Sequence, residues 1–108
     1  MTAMNIVHMR VKPGNEAEFL AIHEQLDRTS LHGLRNFWAV KTGERSFCIV
    51  GEWQDATALW AARPAMIANL DRLRPLLEDL GGGRGVTEPW SGEVQLHLRP
   101  DVSAESAM

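Results

Sequence analysis

The sequence predicts an α+β domain whose strands and helices run in the order βαββαβ. Segments that alternate apolar and polar side chains with period two interleave in that order with segments whose apolar residues recur every three or four positions. Residues 4–11 place Val7, Met9 and Val11 on one side and Ile6, His8 and Arg10 on the other, which is a strand. Pro13-Gly14 ends it. Asn15, with Glu18 three residues on, has the form of an N-cap and its capping-box partner, so a helix is expected to start there. Phe19, Ile22, His23 and Leu26 form one stripe of that helix, with Glu16, Glu18, Glu24, Gln25 and Asp27 mostly off it, and fraying is expected over residues 30–33.

Two strands follow over residues 34–41 and 46–53, joined by Thr42-Gly43-Glu44-Arg45, a connection of hairpin length. The second is apolar on both faces, as a central strand covered on both sides would be. Asp55 is a good cap for a second helical region in which Met66, Leu70, Leu73, Leu77 and Leu80 recur at spacings of four and three. Pro64 and Pro75 each remove a backbone donor, which predicts breaks near Arg63 and Arg74. The glycine-rich run at 81–85 ends this region. Residues 92–99, with Val94, Leu96 and Leu98 alternating against Glu93, Gln95, His97 and Arg99, predict the fourth strand. One domain is expected over residues 1–98, and a disordered tail over 99–108.

This order is a split βαβ, ferredoxin-like arrangement, in which a four-stranded antiparallel sheet carries both helices on one face. Its other face is left bare. Apolar side chains from the hairpin, in a chain with four tryptophans, make such a face costly to expose, and pairing with a second copy through the sheet is the simplest cover.

Composition narrows the function classes. An apolar fraction of 44% and a charged fraction of 23% are those of a folded globular chain. A net charge of -3, with Lys and Arg scattered, gives no basic field for nucleic acid. No apolar stretch is long enough for a membrane span, and the first residues lack the features of a signal peptide, so a cytoplasmic protein is expected. The single cysteine, Cys48, has no internal disulfide partner and reads as buried filler. The four histidines show no metal-binding spacing, so no metal is expected.

Val11-Lys12-Pro13-Gly14 followed by Glu18-Phe19, Gly33-Leu34 opening the second strand, and above all Ile49-Val50-Gly51-Glu52-Trp53-Gln54-Asp55 leading into Ala58-Leu59 resemble the antibiotic biosynthesis monooxygenase (ABM) domain family of dimeric α/β barrels. The resemblance covers roughly residues 4–98 and implies a homodimer. The family includes cofactor-independent oxygenases of quinols and other polyketide-like aromatics, haem-degrading relatives, isomerases and domains without known activity. Many members carry histidines in the second helix, where this chain reads Trp60-Ala61-Ala62-Arg63-Pro64. Counted back from Gly14, the strand asparagine of the haem-degrading relatives falls on Val7. The resemblance therefore disfavours haem, and no cofactor is expected. It also implies that Trp60 matches the tryptophan which many oxygenase members hold over the pocket.

Each candidate residue has a plainer reading beside the functional one. His23, on the apolar stripe of the first helix, is either a buried structural histidine or a general base. Trp60 is either packing or a pocket wall. Arg35 and Asn36 occupy opposite faces of the second strand, so one of them is expected to point inward, where it would either hold a substrate oxygen or pair within the dimer. Val7, Met9 and Trp38 are the expected substrate-binding residues, with Trp38 and Trp60 walling a slot and His23 or Asn36 acting on a substrate oxygen. The functional expectation is a cofactor-independent monooxygenase of a small quinol- or anthrone-like aromatic. The alternatives are a non-catalytic dimeric small-molecule-binding domain and an isomerase.

Overall fold

A computed structural model describes residues 1–100. The expected order is the order found. Strand β1 (Ala3–Arg10) leads to helix α1 (Glu16–Glu24), a 3-10 turn (Arg28–Ser30), then β2 (Leu34–Gly43) and β3 (Ser46–Trp53). Helices α2 (Ala56–Ala61) and α3 (Arg63–Leu73), a second 3-10 turn (Arg74–Leu76) and β4 (Glu88–Glu93) complete it. The strands form one antiparallel sheet in the order β2-β3-β1-β4, so β3, the strand apolar on both faces, is internal.

Side chains directly opposite one another share a face of an antiparallel sheet. The register therefore places Ala3, Asn5, Val7 and Met9 of β1 with Trp53, Gly51, Ile49 and Phe47 of β3. This face carries the helices. Phe19 of α1, Leu59 of α2 and Leu73 of α3 are buried against it, in two clusters: one around Met9, Phe19, Phe47 and Leu73, the other around Ala3, Leu31, Trp53 and Leu59. The opposite face presents Ile6, Val50, Trp38 and Trp90 in one row across the four strands. Ile6, Trp38, Val40 and Trp90 are all exposed there.

Several local expectations are corrected. The Asn15 side chain makes no capping hydrogen bond, so the capping box is not formed, although α1 starts at Glu16. Asp55 does cap α2, accepting from the Ala58 N–H at 2.8 Å. The breaks at the two prolines fall at Ala62 and Arg74, but α3 ends at Leu73. Leu77 and Leu80 lie beyond the helical residues, where Leu77 is extended and bridges Val11, and both remain buried. The fourth strand lies earlier than residues 92–99. Residues 88–93 pair with 3–8, and the Val94 N–H donates to Thr2 at 2.8 Å as a last link. The pairing with β1 stops there, and Leu96 and Leu98 alternate in the sequence while standing exposed. Cys48 is half-buried on the bare sheet face rather than in the core. The expectation for the tail lies, from residue 101 on, outside the described residues.

Candidate functional site

A cavity of about 360 Å³ opens between the sheet and the helices, between the two core clusters. Its floor is the helix-bearing face of the sheet, with Asn5, Val7 and Met9 of β1, Phe37 of β2 and Ile49 of β3. Its roof includes His23 of α1, Leu59 and Trp60 of α2, and Arg63 and Met66 of α3. The walls are mostly apolar, and two of the polar groups, His23 and Asn5, are held by hydrogen bonds to the protein.

His23 is 6% exposed. Its Nδ1 lies 2.9 Å from the Phe19 carbonyl oxygen, one helical turn back. A carbonyl only accepts, so Nδ1 carries the hydrogen and, in the neutral ring, Nε2 is an acceptor. Nε2 has no protein partner among the described residues. The ring is fixed edge-on to Phe19 at 4.7 Å and lies 5.7 Å from Phe37. Burial pushes the His23 pKa below its ordinary value of 6.5, outweighing the opposing effect of the Phe19 hydrogen bond. At neutral pH the imidazole is therefore an uncharged base.

Asn5 was not singled out from the sequence, although it stands in phase with Val7 and Met9 as a polar residue on an otherwise apolar strand face. Its Oδ1 accepts from the Trp53 indole N–H at 2.7 Å. The indole can only donate, which fixes the amide orientation and leaves the Asn5 N–H₂ group without a protein partner among the described residues. Trp53 is 2% exposed, so the anchor is part of the core. Gly51 makes room for this pair: a Cβ there would collide with Asn5 Oδ1 and stand 2.8 Å from Trp53 Nε1. The Gly51-Glu52-Trp53 run thus supplies both the clearance and the anchor for one amide.

The structure brings Val7, Met9, His23 and Trp60 to this one cavity. It does not bring Asn36 or Trp38 there. A register shift between Leu34 and Asn36 inserts Arg35 as an extra residue, so neither Arg35 nor Asn36 points inward. Asn36 Nδ2 donates to Glu52 at 3.0 Å on the bare face, and Arg35 donates to Thr2 at 3.2 Å. Trp38, opposite Val50, is 43% exposed on the same bare face. Trp60 stands at the cavity mouth, 55% exposed. Among the described residues no group of three or more His, Cys, Asp or Glu is placed to hold a metal ion, and no helix is long and apolar enough to cross a membrane.

Residues 2–66, more than half of the chain, match the family profile of antibiotic biosynthesis monooxygenase. The chain belongs to the antibiotic biosynthesis monooxygenase family. Solved structures agree with this at the level of the fold. This family member is similar to SnoaB, a cofactor-independent oxygenase from Streptomyces nogalater, with 16% identity and a TM-score of 0.70 over 92% of this chain and 98% of that one. NE2512, a protein of unknown function from Nitrosomonas europaea, is 22% identical with a TM-score of 0.63, over 93% of this chain and 95% of that one. A conserved protein from Methanosarcina mazei Go1 is 17% identical with a TM-score of 0.70, over 86% and 92%. No curated protein sequence matches the chain. In this ABM-family chain the matched segment contains β1 to β3, α1 and α2, and so carries Asn5, His23, Gly51, Trp53 and Trp60.

Proposed function

We propose that the protein is a cofactor-independent monooxygenase of a quinol- or anthrone-like aromatic, working as a homodimer joined through its bare sheet faces. One observation carries the chemistry: His23, a neutral base with its Nε2 unpartnered among the described residues, and Asn5, a pre-oriented amide donor, border the same apolar cavity. An electron-rich aromatic needs little more from a protein. His23 takes a proton from the hydroxyl or acidic methylene of the substrate, and Asn5 donates to the oxygen on which negative charge collects. The apolar walls exclude water and leave the anion reactive. The anion passes one electron to O₂, and the resulting radicals join as a hydroperoxide. Loss of water then gives the carbonyl, so one CH₂ and one O₂ become one C=O and one H₂O, with all four electrons drawn from the substrate. Membership of the family, together with the fold shared with a cofactor-independent oxygenase, supports this reading. The exposed row Ile6, Trp38 and Trp90 supports the dimer, since contiguous apolar patches of this kind mark association surfaces.

Oxygen uptake by the purified protein, measured against a panel of hydroquinones and anthrones, tests the reading. Saturable uptake is expected. It should fall by about 100-fold in His23→Ala, and by a similar factor in Asn5→Ala, the low end for removal of a general base or an oxyanion donor. Because the neutral imidazole is the working form and burial lowers its pKa, kcat/KM should hold at pH 6.5 and decline only at more acid pH, where His23 protonates. Uptake indifferent to both substitutions would remove this mechanism. Binding without uptake would favour a small-molecule-binding domain.

A further inference from the structure

The chain carries 14 acidic and 11 basic residues. Even so, among the described residues no aspartate or glutamate borders the cavity, and one permanent cation, Arg63, does. Arg63 opens α3. Its guanidinium lies over the Trp60 indole, 5.9 Å from the ring centroid, which places a cation beside an aromatic wall at the cavity mouth. Arg63 makes no salt bridge among the described residues, as is also true of Arg10, Arg28, Arg35 and Arg72, but of these arginines it alone borders the cavity. The neutral His23 adds no charge, and the nearby amide offers donors. Arg63 is exposed at the mouth, so its attraction for an anion is screened by salt. The cavity mouth of an acidic protein thus carries a positive charge and, among the described residues, no negative one.

We propose that the ligand of this cavity is an aromatic carboxylate, its ring lying along Trp60 and its carboxylate held by Arg63 at the mouth. The planar guanidinium fork matches a carboxylate through two parallel hydrogen bonds and stacks on an aromatic face at the same time. This assignment rests on the reading of the cavity as an aromatic-binding site, and it holds whether or not oxidation follows. It gives Arg63 a role in choosing the substrate and leaves proton transfer to His23.

Equilibrium titration with 1-hydroxy-2-naphthoate and with 1-hydroxy-2-naphthamide tests it, because the two probes share a ring and differ in charge. The wild-type protein should prefer the carboxylate by on the order of tenfold at low salt, the low end for a charge-assisted hydrogen bond, and the preference should shrink at high salt. Arg63→Gln, at an exposed position, should keep the melting temperature and the naphthamide affinity while abolishing the preference. Arg63→Lys should keep part of it. Equal affinity for the two probes, no binding of either up to millimolar concentration, or a preference that survives Arg63→Gln overturns the assignment. A flat oxygen-uptake trace beside a charge-dependent titration would remove the oxygenase reading and leave this one standing. The opposite pair of results would remove this one alone.

Discussion

Asn5 and Trp53 hold one another by a single hydrogen bond across two strands, and Gly51, on the same sheet face, is there for space. Its φ is not in the left-handed region, so the glycine is not required by the backbone. Gly51→Ala should therefore cost roughly 1–3 kcal/mol by urea unfolding, the range for overpacking a well-filled core. The cost should be smaller in an Asn5→Ala background, where the nearest obstacle has gone, so a double-mutant cycle separates local crowding from general damage. His23 makes a second prediction. Its pKa is lower in the folded chain than in the unfolded one, so below pH 6.5 the unfolded state binds more protons and stability falls with acidification. A melting-temperature profile from pH 7 to 5 should slope down toward acid, and His23→Gln should flatten that part. His23 was visible in the sequence because it interrupts an apolar helical stripe. Asn5 interrupts an apolar strand face in the same way, but two-residue alternation across a four-residue sample gives a weaker contrast than a helical stripe.

The secondary-structure elements show where sequence patterns hold and where they stop. Asp55 is a cap in sequence and in structure, and Asp55→Ala should cost about 1 kcal/mol, measured by urea unfolding. Asn15 has equally suitable chemistry but makes no such bond, because the chain enters α1 with Asn15 at φ -106° and ψ 7° instead of the extended conformation of a capping residue. The alternation of Val94, Leu96 and Leu98 is real, but a strand also needs a partner, and the pairing of β4 with β1 runs only from His8↔Glu88 to Ala3↔Glu93. In the same way Leu77 and Leu80 continue the spacing of α3 after the helix has ended, and both are buried from non-helical chain. Periodicity marks which side chains are apolar on one side. It does not record which neighbouring backbone is left to pair with. Nor does it reveal a bulge, and the extra residue at Arg35 is why neither it nor Asn36 reaches the cavity.

The whole molecule divides its sheet into a packed face and an open one. Sheet order and helix placement were legible because β3 is apolar on both sides, and a chain of this length has helices enough to cover only one of them. Burying Trp38 in a dimer predicts that Trp38→Arg, which changes no contact in the cavity, shifts the sedimenting species from dimer to monomer. A wild-type monomer at micromolar concentration would sink the dimer. The two sides of the cavity also differ in origin. Asn5, held by Trp53, belongs to the hydrogen-bonded sheet, whereas Trp60, Arg63 and Met66 belong to short helices that meet at Ala62. Descendants of such a chain can exchange Trp60, Arg63 and Met66 to acquire new ligands while keeping Asn5 on the sheet and His23 on α1, so recognition can drift across a lineage while those two polar groups stay in place.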